Sequence, residues 1–350
     1  MEVKALKFGG LTAKRPIVQG GMGVGVSLSS LAGNVAKCGG VGTISGVHPG
    51  YREADFKENP FRANLRAIGN ELEKAKEIAN GGIIGFNFMT VMNHYEEYVK
   101  EAIAAGADFI VSGAGLPVNL AKYAAGTRAA ILPIVSSARA LKLIVKQWQR
   151  ADRLPDAVVV EGPLAGGHLG YPYGHLVDGT FDTLEDSLVD VVDYVRELEE
   201  KNGVKIPVIA GGGVRNHADM ERLMALGASG VQVGTKFVAT EECDAAPAFK
   251  QAYLRSRKGD VQLIESPVGL AARAIRNSFL EKVEKQGRIP VQRCYQCMNH
   301  CKQAETKYCI SQALIDAVQG REGLVFCGAN AYEIEKLSTV EKVMQELCGE

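Results

Sequence analysis

Eight short runs rich in β-branched residues recur along the chain up to residue 235, and this repeat constrains the fold more than any other feature. They occupy residues 16–21, 41–45, 83–89, 109–113, 130–135, 157–161, 207–211 and 230–235, and most end in glycine or a polar residue. Between them lie stretches such as 93–105 and 138–150, with apolar residues at three- and four-residue intervals and Glu, Lys and Arg on the other face. Strands that read as continuous apolar runs are buried on both faces, which in turn demands a parallel sheet covered by helices. Eight such units fill one barrel, so the expected fold is α/β, a TIM-type (β/α)8 barrel with inserted loops.

At 350 residues the chain exceeds what one core comfortably holds, about 250–300 residues, by an appendage and not by a second full domain. The expected division is a barrel over 1–240, a helical cap over 241–290, and a helical tail with a cysteine cluster over 291–350. Helices are expected at 64–78, 219–226, 246–257, 269–286, 305–319 and 331–347, with a capping box at Asp182 and Glu185 opening the helix that reaches Glu200. Two connections are long, residues 48–80 and the Gly/Pro/Tyr-rich stretch 166–181. Extra length after a barrel strand emerges at the catalytic face, where it can wall or cover a site.

Forty basic residues balance forty acidic ones, so no overall field gathers nucleic acid or an anionic membrane. No apolar stretch is long and uninterrupted enough to cross a bilayer, and the first fourteen residues lack the apolar core of a signal peptide; a cytoplasmic protein is expected.

Glycine placement marks the site. The seventh run ends in Gly211, Gly212 and Gly213 and the eighth in Gly234 and Thr235, and these two adjacent loops form the recurrent phosphate site of barrels, since backbone without side chains approaches an anion closely. Gln19, Gly20, Gly21 and Met22 follow the first run, Asn87 lies in the third, and Glu161, Gly166, Gly167 and His168 follow the sixth, all at the same end. The amides of Gln19 and Asn87 suit the edge of a flavin ring, Gly21 and Met22 its floor, and Glu161 a ribityl hydroxyl. The same polar groups can instead satisfy buried strand ends. His168, after two glycines, suits proton transfer or substrate positioning near neutral pH. His48, Tyr173 and His175 are weaker contacts for substrate, and His94 and His217 read as structural.

Together PIVQGGM (16–22), GFNFM (85–89), EGPLAGGHLG (161–170), PVIAGGGV (207–214), GVQVGTKF (230–237) and VGLAARAIRN (268–277) resemble the superfamily of nitronate monooxygenases (2-nitropropane dioxygenases) and FMN-dependent enoyl-acyl-carrier-protein reductases. The resemblance spans the barrel. It implies FMN with its phosphate on Gly212, Gly213, Gly234 and Thr235, His168 near the reactive ring, and NADH or NADPH as electron donor. QGGM and ARAIRN look more like the enoyl reductase branch, which implies a small-molecule substrate such as a conjugated acyl thioester; oxidation of alkyl nitronates is the alternative.

The tail departs from that pattern. Cys294-x2-Cys297-x3-Cys301-x7-Cys309 gathers four of the eight cysteines. Such a run can supply four thiolates to a [4Fe-4S] cluster or to zinc, with His300 as a neighbour or substitute ligand. The first three cysteines resemble the run of iron-sulfur flavoenzymes related to dienoyl reductases. The helical tail also offers a surface for a second copy of the chain or an electron-transfer partner, and a non-enzymatic flavin- or metal-binding interaction protein remains a third reading.

Overall fold

The computed structural model describes residues 4–298 and 301–350. A hairpin of β1 (Leu6–Phe8) and β2 (Leu11–Ala13) comes first. Then follow β3 (Ile17–Gln19), β4 (Val41–Ser45), β5 (Ile83–Met89), β6 (Phe109–Gly113), β7 (Ala130–Val135), β8 (Val158–Glu161), β9 (Gly167–Leu169), β10 (Val208–Gly211), β11 (Gly230–Val233), β12 (Val261–Glu265) and β13 (Ala271–Ile275). Eight of them close into a parallel barrel in the order β10-β11-β3-β4-β5-β6-β7-β8. Each falls within one of the eight β-branched runs read from the sequence.

Closure leaves those strands no free edge, and helices cover the outside. Leu6, Phe8 and Ala13 of the hairpin pack against Val41, Ile83, Phe109 and Ile209 near the strand starts, so the hairpin stoppers the N-terminal mouth. Phe8 meets Phe109 edge-on at 6.0 Å. The C-terminal mouth is left as the open one.

The long 48–80 connection carries the helix Pro60–Ala79, started by Asn59, whose side chain accepts the Arg62 N–H at 3.2 Å. The capping box sits one residue later than expected. Thr183 and Asp186 close it, with Asp186 N–H donating to Thr183 Oγ1 and Thr183 N–H to Asp186 Oδ2, each at 3.1 Å.

The C-terminal extension is helical, with Pro247–Arg255, Ser278–Gln286, Ile310–Val318 and Val340–Cys348, but three expected helices are shorter than the sequence suggests, 305–319 among them beginning only at Ile310. Residues 269–286 were expected to be one helix, yet Ala271–Ile275 is the middle strand of an antiparallel sheet, between β12 and β9. Pairing on both sides outweighs the helix propensity of its alanines. Asn277 then restarts the chain as a helix by accepting the Leu280 N–H at 3.1 Å. Residues 331–347 likewise divide into a 3-10 turn, Ala331–Glu333, and the helix Val340–Cys348. Ser338 between them exchanges backbone hydrogen bonds with Ala239 and Glu241 and so runs alongside the segment after β11. Among the described residues no helix is long and apolar enough to cross a membrane.

One side chain ties extension to barrel. Asp244, mostly buried, accepts the N–H groups of Leu28 (2.8 Å), Leu31 (3.0 Å) and Ser30 (3.2 Å), capping the helix Ser29–Lys37 from 216 residues away. Its own N–H donates to Val26 O at 3.3 Å. Asp244→Ala strands three donors of a helix N-terminus and is expected to lower stability by about 2 kcal/mol in urea unfolding. A change below about 0.5 kcal/mol would show that water replaces the carboxylate without cost.

Candidate functional site

A cavity of about 470 Å³ opens where the C-terminal ends of the barrel strands converge. Its size lies within the range of small-ligand sites. Of the residues expected there, Gly20, Gly21, Met22, Asn87, Glu161, Gly166, Gly167, His168, Gly212, Gly213, Gly234 and Thr235 all line it. Gln19 does not. It is fully buried, its amide oxygen accepts the Thr43 N–H at 3.0 Å, and its amide N–H donates to Gly20 O. The side chain is consumed in joining β3 to β4, which corrects its expected place at a ring edge.

Two glycines show why the wall needs bare backbone. A Cβ on Gly21 would overlap the side chain of Asn87. Gly212 has φ of +102°, and a Cβ there would stand 3.0 Å from Gly162 O and 3.1 Å from Ala165 N, so the β10 loop lies directly on the β8 loop. Arg215 and Asn216 continue the wall to the helix His217–Ala225, where Asn216 caps the Asp219 N–H at 3.0 Å. The two basic side chains of the lining are Arg215 and Lys236. Both are charge-balanced: Arg215 Nε lies 2.9 Å from Asp219 and Lys236 Nζ 2.7 Å from Glu346.

His168 and Glu161 face the same cavity from the β8 side. His168 sits in β9, held in register by β13, opposite Ala272. Its Nε2 is 2.7 Å from Ser266 Oγ, and its ring meets Phe326 edge-on at 5.0 Å. Enclosure by protein pushes its pKa down to about 4, so the imidazole is neutral at physiological pH. The same desolvation acts on Glu161 in the opposite sense and pushes its carboxyl up to about 8, favouring the protonated form.

The part of the wall that the sequence reading missed comes from the far end of the chain. Phe326, Cys327, Gly328, Ala329 and Asn330 close the cavity from above, with Ala329 N–H donating to Leu164 O at 3.1 Å and Cys327 N–H to Arg273 O at 3.1 Å. Arg273 in turn donates to Ala165 O. Gly328 lies so close to Thr235 that a side chain there would overlap the hydroxyl. The only signal was the pair Gly323 and Gly328 in GLVFCG, which marks close packing but not its partner.

Other candidates lie elsewhere. His48 is buried, with φ of +49°, and bonds Ser311 at 2.8 Å and Asn64 at 3.3 Å, so it braces the second barrel loop instead of meeting substrate. Tyr173 and His175 lie on the short exposed helix Tyr173–Asp178 outside the cavity lining. His217 Nδ1 lies 2.9 Å from Leu347 O, and His94 packs on Phe61 at 4.2 Å, both structural as expected. Cys294, Cys297, Cys301 and Cys309 are free thiols, and among the described residues no group of three or more His, Cys, Asp or Glu is arranged to hold a metal ion. The expectation of a [4Fe-4S] cluster or zinc thus gains no support from that arrangement; His300 lies outside the described residues.

The family model for nitronate monooxygenase matches residues 4–350. A probable nitronate monooxygenase of Staphylococcus saprophyticus subsp. saprophyticus is 25% identical over 308 residues, which is 81% of this chain and 82% of that protein. FabK from Thermotoga maritima shares the fold with a TM-score of 0.72 at 23% identity, over 96% of this chain and 92% of that one. The enoyl reductase domain of MlnA from the macrolactin biosynthesis cluster of Bacillus amyloliquefaciens does so with a TM-score of 0.69 at 16% identity, over 95% and 93%. With the whole described barrel and its extension inside the match, the chain belongs to the nitronate monooxygenase family and is an FMN-dependent oxidoreductase.

Proposed function

We propose that the cavity holds FMN and that the enzyme reduces a conjugated enoyl thioester. When bound, the flavin supplies hydride to the activated alkene, and NADH or NADPH is the donor that recharges it. Gly212, Gly213, Gly234 and Thr235 would hold the phosphate through backbone N–H groups, with Arg215 and Lys236 on the same side of the cavity. Gly21 and Met22 would lie under the ring with Asn87 beside it, where any larger residue at position 21 would push Asn87 away. His168 would hold the substrate as a neutral hydrogen-bonding group, positioned by Ser266.

What supports this reading is the placement of Glu161 and His168 on the β8 side of the cavity, where burial pushes the Glu161 carboxyl up toward its protonated form. Ene reduction needs a proton for the carbon that does not receive hydride, and Glu161 is the carboxyl placed to supply it. Oxidation of an alkyl nitronate instead begins from an anion, which a fixed cation would hold. The lining's two cations both stand after β10 and β11, each already paired with a carboxylate. Nitronate oxidation remains the second reading, favoured by the family match and the staphylococcal relative.

Anaerobic reduction of the purified flavoprotein by NADH or NADPH, followed by mixing with an enoyl thioester, distinguishes the two. Rapid reoxidation with formation of the saturated thioester is expected. Reoxidation by oxygen only, with turnover of propyl nitronate, would replace this reading by the second.

Glu161→Gln is expected to keep flavin bound while lowering the rate of alkene reduction by about 10²-fold, the usual contribution of a general acid. In the parent enzyme that rate should fall as pH rises through about 8, where Glu161 loses its proton, and this limb should be absent from the variant. An unchanged limb would remove Glu161 as the proton source.

For the phosphate, Gly234→Ala is the informative change. Without ligand its Cβ meets only the flexible side chain of Met22, 3.3 Å from Sδ and 3.9 Å from Cγ, so the fold tolerates it. A loss of FMN affinity of about tenfold or more is expected by titration, equivalent to about 1.4 kcal/mol. Parent affinity in the variant would show that the phosphate does not rest there.

A further inference from the structure

We propose that Glu346 sets how tightly FMN is held, by competing with the cofactor phosphate for the ammonium group of Lys236. The inference rests on the reading that puts the phosphate at Gly234 and Thr235, and adds a residue of the last helix to the determinants of cofactor affinity.

Charge around the phosphate loops is closely balanced. Apart from Glu161 on the β8 side, the charged residues of the cavity lining, among the described residues, are Arg215, Lys236, Glu333 and Glu346. Two cations thus meet two carboxylates, and Asp219 behind Arg215 adds a third. A phosphate there gains a cation only where one can be released from its present partner.

The two cations differ in that respect. Arg215 is locked: its backbone N–H and Nε donate to Asp219 Oδ2 at 3.0 and 2.9 Å, and its Nη2 to Oδ1 at 3.4 Å. Asp219 is buried, so taking Arg215 away would strand a carboxylate out of water. Lys236 has a single carboxylate partner, with Nζ 2.7 Å from Glu346 Oε1. Here the exposures run the other way, 18% for the Lys236 side chain and 54% for that of Glu346. A half-exposed carboxylate returns to water readily, and such a pair shifts an equilibrium only a few-fold. Lys236 stays at the cavity wall, next in the chain to Thr235.

Glu346 is brought to the rim by a well-anchored helix. Val343, Met344 and Leu347 of Val340–Cys348 are buried in the core. Glu242 accepts the Val340 N–H at 3.0 Å, and His217 Nδ1 lies 2.9 Å from Leu347 O. The backbone of residue 346 is therefore fixed while its carboxylate can turn from Lys236 to solvent. Repulsion of the phosphate through water is weak for so exposed a group, which leaves competition for Lys236 as the larger effect.

Equilibrium titration of FMN against the full chain at low ionic strength, followed by flavin fluorescence, reads the affinity without turnover. Glu346→Gln should tighten FMN binding about threefold, and Glu346→Ala should do the same. Lys236→Met should weaken it about tenfold. Adding Glu346→Gln to Lys236→Met should then change nothing, because the contested cation is gone. Glu341→Gln, exposed on the same helix and outside the cavity lining, should keep the parent affinity. Parent affinity in both Glu346 variants, or an equal gain with and without Lys236, overturns the proposal. Gly234→Ala separates it from the reading beneath. Parent affinity in both Gly234→Ala and Lys236→Met would remove the phosphate from this loop and the inference with it. Weakened binding in Gly234→Ala with no change in Glu346→Gln would remove the inference alone.

Discussion

Closure of the parallel barrel is the constraint from which the rest follows. A strand paired on both sides has spent its backbone donors and acceptors, and its side chains are packed inside the barrel or beneath helices, so nothing along its length is left for a ligand. Only the strand ends remain available. The hairpin Leu6–Ala13 fills one mouth with apolar side chains, and the other mouth becomes the site because it is the only end still open. The glycines there serve the same constraint, since eight converging loops leave too little room for side chains where backbone passes backbone, as Gly212 does over Gly162 and Ala165.

What distinguishes this barrel is how its late residues are drawn over the open mouth. β13 sits between β12 and β9, and β9 is the short strand that contains His168, so residues a hundred positions downstream set where the imidazole stands. Ser266 supplies its hydrogen-bond partner, Phe326 its edge contact, and the 326–330 segment the roof. Asp244 adds a second tie, holding the helix Ser29–Lys37 and the Val26 loop that lines the cavity. The extension is therefore part of the site's wall and not an ornament on a finished barrel.

This explains which features were legible in the sequence. Strand runs and strand-end glycines are local: a β-branched run buried on both faces reads the same in any barrel, and Gly20, Gly21, Gly212, Gly213 and Gly234 fall where loops must approach one another. Contacts made at long range were not legible. Ala271–Ile275 has the composition of a helix and becomes a strand between a neighbour across a short turn, Val261–Glu265, and a partner a hundred positions upstream, Gly167–Leu169. Gln19 reads as a ligand-contacting amide until its neighbour β4 is in place and Thr43 takes its oxygen. The roof at Cys327 and Gly328 has no local periodicity at all, and only the fold shows that it rests on Gly166 and Thr235.

Glu161 and His168 share one cause for opposite displacements. Desolvation disfavours whichever form is charged, so it raises a carboxyl and lowers an imidazole; here the pKa values become about 8 and about 4. Between those limits neither group carries charge, and the β8 side of the cavity is a neutral wall holding one acidic proton. The compensated cations Arg215 and Lys236 stand after β10 and β11. In the proposed reading, an anionic group would lie toward the glycine loops and the neutral, reacting part beside the carboxyl and the imidazole. Charge placement of this kind needs no ion pair at the reacting end, and a cation introduced there would lower the Glu161 pKa and remove the proton that the wall otherwise retains.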